Sequence, residues 1–147
     1  MRLWDKRLIY VLPREQLIAQ WRELSAIAGN ILKKGTPNHI LVDQIMNYSF
    51  DHFLSYALLV RGVMTERGYR TMDKVWDKIT SIKSDYKENL FQLQPFDTIY
   101  SDWMNNEYFI ICYYNLKEKW LRGGIKDEDW NKIEEKRKEL GINELYG

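Results

Sequence analysis

The chain has 147 residues, a length that predicts a single domain, spanning residues 1–147, with a substantial hydrophobic core. Hydrophobic residues make up 45% of the sequence and charged residues 29%, and this balance excludes general disorder. The formal net charge of +1 does not by itself indicate a nucleic-acid partner, although residues 1–40 carry seven Lys or Arg against three Asp or Glu.

Cysteine usage and hydropathy indicate the compartment. Cys112 is the only cysteine, so no internal disulfide can form, and a reducing compartment is favoured. The N-terminus has no apolar segment of signal-peptide length, and the apolar runs at 57–60 and 108–114 are too short to cross a bilayer. We therefore expect a soluble, intracellular protein in the cytoplasm that does not contact a membrane.

The first clear helix is predicted over residues 13–33. Pro13 suits a first helical turn, apolar residues then recur at spacings of three or four, and Gly35 follows as a stop. The preceding residues, 2–11, alternate loosely between apolar and polar side chains. That pattern fits either an extended arm or a short turn.

Further helices follow in chain order. Thr36 and Pro37 have the pattern of an N-cap and a first helical residue, which predicts a short helix ending near residue 48. Its buried face is predicted to consist of Ile40, Leu41, Ile45 and Met46. Other helices are predicted at 50–67, after a Thr71 cap, at 105–122 and at 127–140, with an irregular stretch at 90–100. The predicted fold class is all-α, a compact single-domain helical fold of about five helices.

Arg22 and Glu23 stand side by side on the first predicted helix, near enough to the N-terminus for the chain start to fold back over them. Glu23 shares a second helical stripe, beside the buried one, with Gln16, Ala19 and Gln20. A carboxylate between a core face and a solvent face can acquire a shifted pKa, as general acid–base catalysis requires. The alternative interpretation is a surface glutamate paired with a neighbouring Arg or Lys.

Common motifs for cofactors, metals and nucleophiles are absent. The sequence has no GxGxxG, GxxxxGK[ST], CxxC, HExxH or GxSxG, so we expect no cofactor and no metal. His39 and His52 match no metal-ligand spacing, and Cys112 lies on an apolar stripe where a buried, inert thiol is expected. An enzyme of this composition would need an amine or a water, and an α-amine is partly neutral near neutral pH.

The run from Met1 to Leu24 resembles the start of the endonuclease V-type pyrimidine-dimer DNA glycosylases. The alignment is ungapped and rests on Leu8, Leu12, Leu17 and Ala19, followed by Trp21-Arg22-Glu23-Leu24. A second similarity lies at Leu116-Lys117-Glu118-Lys119, which resembles the L-D-E-K run near the end of the family's last long helix. Residues 35–42, GTPNHILV, resemble a cellular branch of the same family.

The resemblance implies an all-helical enzyme that acts without a metal. In that family the free α-amine attacks C1′ of the damaged nucleotide, forms an imine and breaks the strand by β-elimination. Carried over, Glu23 would stabilise the positive charge at C1′ and move protons, while Arg22 would bind phosphate and hold Glu23 ionised. The implied partner is double-stranded DNA containing a damaged or modified pyrimidine, bound by a monomer associated with the nucleoid.

The chain start departs from the family pattern. The family nucleophile is a small residue exposed when the initiator Met is removed, whereas residue 2 is Arg2 here. We therefore expect Met1 to be retained and its amine to react. Arg2 is the candidate for the role of the family arginine that aligns with Leu3, and Ala26 stands where the family has a basic residue.

The candidate DNA-binding residues are Arg2, Arg22, Lys33, Lys34, His39, Lys119 and Asn115, the last at a position where the family has an arginine. Two other interpretations stay open. One is a catalytically inactive nucleic-acid-binding module of the same fold. The other is a helical protein-interaction domain whose exposed aromatic residues meet a partner.

Overall fold

The computed structural model describes residues 1–85 and 92–144, and all regular secondary structure in those ranges is helical. The α-helices there are α1 (Arg14–Lys34), α2 (Phe50–Glu66), α3 (Asp73–Asp85), α4 (Asn106–Leu121) and α5 (Asp127–Glu139). Short 3-10 helices lie at Lys6–Val11, Asp43–Asn47 and Phe96–Thr98. The prediction of an all-α fold of about five helices is confirmed, and the assignment of residues 1–147 to one domain stays a prediction.

Helix α1 begins and ends within one residue of its predicted bounds. Pro13 occupies the N-cap position and the helix starts at Arg14. It ends at Gly35, whose φ of 79° lies in the left-handed region and whose N–H donates to the carbonyl of Ile31 at 2.9 Å. Glycine takes this conformation without the steric cost that a Cβ brings, so Gly35 determines where the chain leaves α1.

The core is built around α2, which packs against α1, α3 and the 3-10 helix Lys6–Val11. On α2, Phe53, Tyr56 and Ala57 are fully buried. Helix α1 also packs against α3, and α4 packs against α5. Because α1 is held by two neighbouring helices, it is a rigid support for the side chains on its remaining face.

The chain start is a docked arm followed by a 3-10 turn, so both sequence interpretations apply in part. Leu3 and Trp4 lie in non-helical backbone and are buried, and the 3-10 helix begins at Lys6. The hydroxyl of Tyr108 donates to the carbonyl of Leu3, 105 positions earlier in the chain. The Nζ of buried Lys6 donates to the carbonyl of Ile99 at 2.7 Å. Contacts with distant parts of the sequence therefore hold the arm in place.

A buried ion pair stabilises the start of this 3-10 turn. The carboxylate of Asp5 is fully buried, accepts the backbone N–H of Arg7 at 2.9 Å and pairs with its guanidinium at 3.0 Å. Its removal would leave the largely buried Arg7 cation without that partner. We expect Asp5→Ala to lower the free energy of unfolding by about 3 kcal/mol, measured by urea denaturation.

The exposed pair between Arg61 and Asp73 supplies the control for this prediction. Its N–O distance is 2.7 Å, but the Asp73 side chain is 90% exposed. Asp73→Ala is expected to lower the free energy of unfolding by less than about 1 kcal/mol, because solvent screens an exposed pair. Equal losses in the two variants would contradict the idea that the burial of Asp5 is what makes its pair stabilising.

The helix predicted over residues 36–48 does not form, and that prediction is wrong. Only Asp43–Asn47 is helical, as a 3-10 turn. Asn38 adopts a φ of 59°, a left-handed conformation that interrupts a right-handed helix, and the Thr36 hydroxyl accepts the N–H of Asn38 at 3.1 Å. Of the four residues assigned to a buried face, Ile45 is buried, whereas Ile40, Leu41 and Met46 are exposed.

The region after α2 differs from its predictions in two respects. Thr71 does not cap the next helix, because α3 begins at Asp73 and the Thr71 hydroxyl instead accepts Nε–H of Arg61 at 3.1 Å. The irregular stretch predicted at 90–100 lies partly outside the described residues, and its described part contains the 3-10 turn at 96–98. Every helix within 1–85 and 92–144 is too short or too polar to cross a membrane.

Candidate active site

An open cleft of about 690 Å³ lies where the docked arm meets α1 and the C-terminal part of α4. Its lining includes Trp4 from the arm and Lys119 from α4, and most of its other residues come from the first three turns of α1. Glu23 and Arg22 are among them. The fold therefore brings three of the predicted site residues, Arg22, Glu23 and Lys119, to a single cleft.

Glu23 lies partly buried at the edge of this cleft, next to the chain start. Its Oε2 accepts the backbone N–H of Arg2 at 3.4 Å and an N–H of the Gln20 carboxamide at 3.3 Å. Within the described residues Glu23 forms no ion pair with an Arg or Lys, so the surface-pair interpretation does not describe it. The chain start folds back onto this part of α1, as the sequence predicts.

Gln20 is a site residue to which sequence reasoning assigned no role. Its side chain is fully buried, one turn before Glu23 on α1. Its Oε1 accepts the N–H of Trp4 at 2.8 Å, and its Nε2 donates to the carbonyl of Arg2 at 2.9 Å. The sequence feature that could have identified Gln20 is its three-residue spacing from Glu23, which places both side chains on one face of the helix.

Met1 precedes the anchored residues and is 38% exposed. In the described part of the chain its α-amine forms no ion pair with Glu23. Because one residue spans at most about 3.6 Å, the Met1 nitrogen lies within about 7 Å of the Glu23 oxygen that the Arg2 nitrogen contacts. The first nitrogen of the chain is therefore close to the acid.

A family model described as pyrimidine dimer DNA glycosylase matches residues 1–77, just over half of the chain. The matched stretch contains the arm, α1 and α2, and with them both Glu23 and Gln20. The chain belongs to the pyrimidine dimer DNA glycosylase family. The α4 helix and its Lys119 lie beyond the matched residues. No curated protein and no solved structure matches the chain.

Membership of this glycosylase family indicates DNA as the substrate, and the exposed cations Arg14, Arg22 and Lys119 line the cleft, of which the last two are predicted to bind phosphates. Arg22 and Lys119 are exposed, and neither forms an ion pair within residues 1–85 and 92–144. Asn115 lies one turn before Lys119 on α4, and its amide donates to the carbonyl four residues earlier. The Arg2 guanidinium lies over the Trp4 ring, 5.6 Å from its centroid.

Three other predicted DNA-binding residues of this glycosylase do not line the cleft. Lys33 and Lys34 are exposed in the last turn of α1. At 1.5 Å of helical rise per residue, Lys33 is about 15 Å along the axis from Glu23. His39 lies in the turn after α1, where its Nδ1 accepts the N–H of Leu41 at 3.2 Å. Lys33 and Lys34 therefore form a second basic region, separate from the acid, and His39 follows it in the chain.

The remaining titratable candidates have structural roles in the glycosylase. Burial lowers the pKa of His52, and its Nδ1 accepts the N–H of Tyr100 at 3.1 Å. Cys112 is fully buried, and burial raises the pKa of its thiol to about 11, so the thiol is protonated at neutral pH. Among the described residues, no group of three or more His, Cys, Asp or Glu is arranged to hold a metal ion.

Proposed function

We propose that this protein is a DNA glycosylase with AP-lyase activity, which acts as a monomer on a damaged pyrimidine in double-stranded DNA through an imine formed by its N-terminal α-amine. The observation that carries the proposal is the contact between the Arg2 nitrogen and the Glu23 carboxylate, 3.4 Å apart at the edge of an open cleft. Family membership supports the glycosylase class, and this contact supports the chain start as the source of the nucleophile.

The proposed reaction begins with attack of the neutral amine on C1′ of the damaged nucleotide. A carbon–nitrogen bond forms, the glycosidic bond breaks, and the base leaves with its electron pair and gains a proton. Opening of the sugar ring at the C1′–O4′ bond then gives the imine. Loss of a proton from C2′ breaks the C3′–oxygen bond by β-elimination, and water hydrolyses the imine to restore the amine.

Glu23 would act at two points of this reaction. Its carboxylate would stabilise the positive charge that develops at C1′ as the base departs. It would then accept the proton that the attacking amine loses and pass it to O4′ as the sugar ring opens. Both roles require a carboxylate at the edge of an open cleft, and the position of Glu23 in the cleft lining supports them.

The residue that supplies the amine depends on how the chain start is processed. We propose Met1, because a side chain as large as that of Arg2 disfavours removal of the initiator residue. If Met1 is removed, the nitrogen of Arg2 becomes the α-amine, and it is the atom that lies 3.4 Å from Oε2 of Glu23. The intact mass of the purified protein distinguishes the two cases, and both keep Glu23 as the partner acid.

The cations divide into two groups in this proposal. Arg22 and Lys119, exposed at the cleft, would bind the phosphates that flank the damaged nucleotide, with Arg2 and Asn115 nearby. Lys33 and Lys34, at the end of α1, and His39, in the turn after it, would contact the duplex further from the cleft. The enzyme must also flip a nucleotide out of the stack to reach C1′.

Borohydride trapping tests the proposal. The protein is incubated with a duplex that carries one abasic site or one pyrimidine dimer, and hydride reduces any imine to a stable amine bond. We expect a covalent protein–DNA adduct and strand cleavage at the lesion, with neither on undamaged duplex. Salt-dependent binding without an adduct would show a catalytically inactive binding module instead. Absence of both binding and adduct would favour a protein-interaction domain.

A further inference from the structure

The Gln20 carboxamide connects the chain start to the catalytic acid. Its Nε2 lies 2.9 Å from the carbonyl oxygen of Arg2 and 3.3 Å from Oε2 of Glu23. Both of these atoms are acceptors, and the two hydrogens of the amide nitrogen supply one hydrogen bond to each. Through this one nitrogen, Gln20 therefore forms hydrogen bonds with both the start of the chain and the Glu23 carboxylate.

The orientation of this carboxamide is determined by its partners. Its oxygen accepts the N–H of Trp4 at 2.8 Å, and that backbone donor could not bond to an amide nitrogen. With the oxygen on Trp4, the nitrogen must face Arg2 and Glu23. A flipped amide would set its nitrogen against the Trp4 N–H and its oxygen against two acceptors, the Arg2 carbonyl and the Glu23 carboxylate, so only the present orientation satisfies all three partners.

Tyr56 of α2 contacts both the Gln20 carboxamide and the arm. Its hydroxyl lies 2.6 Å from the Trp4 carbonyl and 2.9 Å from the Gln20 oxygen, and its side chain is fully buried. Burial raises the pKa of Tyr56 well above its usual range, so the hydroxyl stays protonated, and its single hydrogen is shared between these two acceptors. A buried hydrogen-bonded network of this kind is rigid, because breaking any member leaves an unsatisfied polar group in the core.

We propose that Gln20, held by Tyr56, is a positioning residue that sets the distance between the chain-start amine and Glu23. This inference rests on the proposed function, since it concerns the same amine and the same acid. Gln20 does not line the cleft, so it would act on the reaction through Glu23 and the arm and not by contact with the nucleotide. It acts by fixing the Arg2 carbonyl and the Glu23 carboxylate to one rigid point, so that the amine enters the cleft beside its acid.

The test is Gln20→Glu, which keeps the size of the side chain and replaces the amide nitrogen by an oxygen that faces two acceptors. We expect the single-turnover trapping rate to fall at least about tenfold at alkaline pH, where the introduced carboxyl is ionised despite its burial beside Glu23, because misplaced reactants lose rate steeply. Duplex affinity is expected to be unchanged, because Gln20 is buried. The rate deficit relative to wild type should narrow as the pH falls, since a protonated carboxyl regains one donor.

Gln44→Glu is the matched control, because Gln44 is exposed on the 3-10 helix Asp43–Asn47 and does not line the cleft. It is expected to trap DNA at the wild-type rate. Tyr56→Phe is the second variant, for the case in which Gln20→Glu does not fold. It keeps the ring, removes the supporting hydroxyl, and is expected to reduce the trapping rate without changing affinity.

The outcomes separate this inference from the proposed function. If wild type and Gln44→Glu trap no DNA, the proposed function fails and this inference fails with it. If both trap DNA and a folded Gln20→Glu traps it equally fast, only this inference is overturned. A loss of affinity equal to the loss of rate, or a deficit that does not change with pH, would also overturn it, because either result indicates a general structural defect.

Discussion

The variant Glu23→Gln is expected to bind damaged duplex normally and to lose about 10²- to 10⁴-fold in strand cleavage, the usual contribution of a general acid–base group. Glutamine keeps the size of the side chain, and its oxygen can still accept the N–H of Arg2 that contacts Glu23. It cannot take a proton from the attacking amine, and it carries no negative charge beside the cation at C1′. Single-turnover cleavage and trapping assays measure the loss.

Glu66→Gln provides the control for this variant. Glu66 is exposed at the end of α2 and does not line the cleft. The change removes one negative charge, as Glu23→Gln does, and it is expected to leave cleavage at the wild-type rate. A Glu23→Gln protein that still cleaves efficiently would contradict the assignment of Glu23 as the acid–base group. So would a loss of cleavage that is fully accounted for by a loss of duplex binding.

Blocking the α-amine is expected to abolish the trapped adduct. Acetylation turns the amine into an amide, whose nitrogen lone pair is delocalised and would no longer attack C1′, and it leaves the side chains of the cleft unaltered. A variant with one additional glycine before Met1 changes the N-terminus less severely, because it keeps a free amine and moves it about 3.6 Å along the chain. That displacement is expected to lower the trapping rate by about 10²-fold or more, because the amine no longer reaches C1′ in the right geometry. The intact mass of each protein establishes the state of its N-terminus before the assay.

The same glycine added after Gly147 is the control, because it lengthens the chain without moving the amine. Peptide mapping of the trapped adduct then identifies the nucleophile directly, and we expect the DNA on the first residue of the chain. Lys119 is the amine that shares the cleft with Glu23. DNA attached to Lys119 would keep the imine chemistry and would show that the nucleophile has been assigned to the wrong residue.

Local sequence signals determined what could be predicted. The bounds of α1 agree within one residue because Pro13 and Gly35 act on the backbone at their own positions. The position of Glu23 beside the chain start could likewise be predicted, because it depends only on one helix and the short arm before it. Even the distance of Lys33 from Glu23 follows from the helical rise, so the sequence already contained the separation of the two basic regions.

Contacts between distant residues could not be predicted. The hydroxyl of Tyr56 meets Gln20 across 36 positions, and no periodicity in either helix marks that pair. The wrong helix at 36–48 has a different cause. Asn38 and Thr36 prefer a local hydrogen-bonded turn, and this preference overrides the apolar spacing that suggested a buried face. Apolar spacing alone therefore does not predict a helix where Thr36 and Asn38 favour a turn.

The attachment of the arm to α4 also determines when the site can assemble. Leu3 is held by Tyr108, which lies 105 positions later in the chain. A ribosome must therefore release most of the polypeptide before the first residues can dock, and until then the N-terminus stays accessible to aminopeptidases and acetyltransferases. Enzymes that act on nascent chains therefore reach the proposed nucleophile before the cleft that would use it exists.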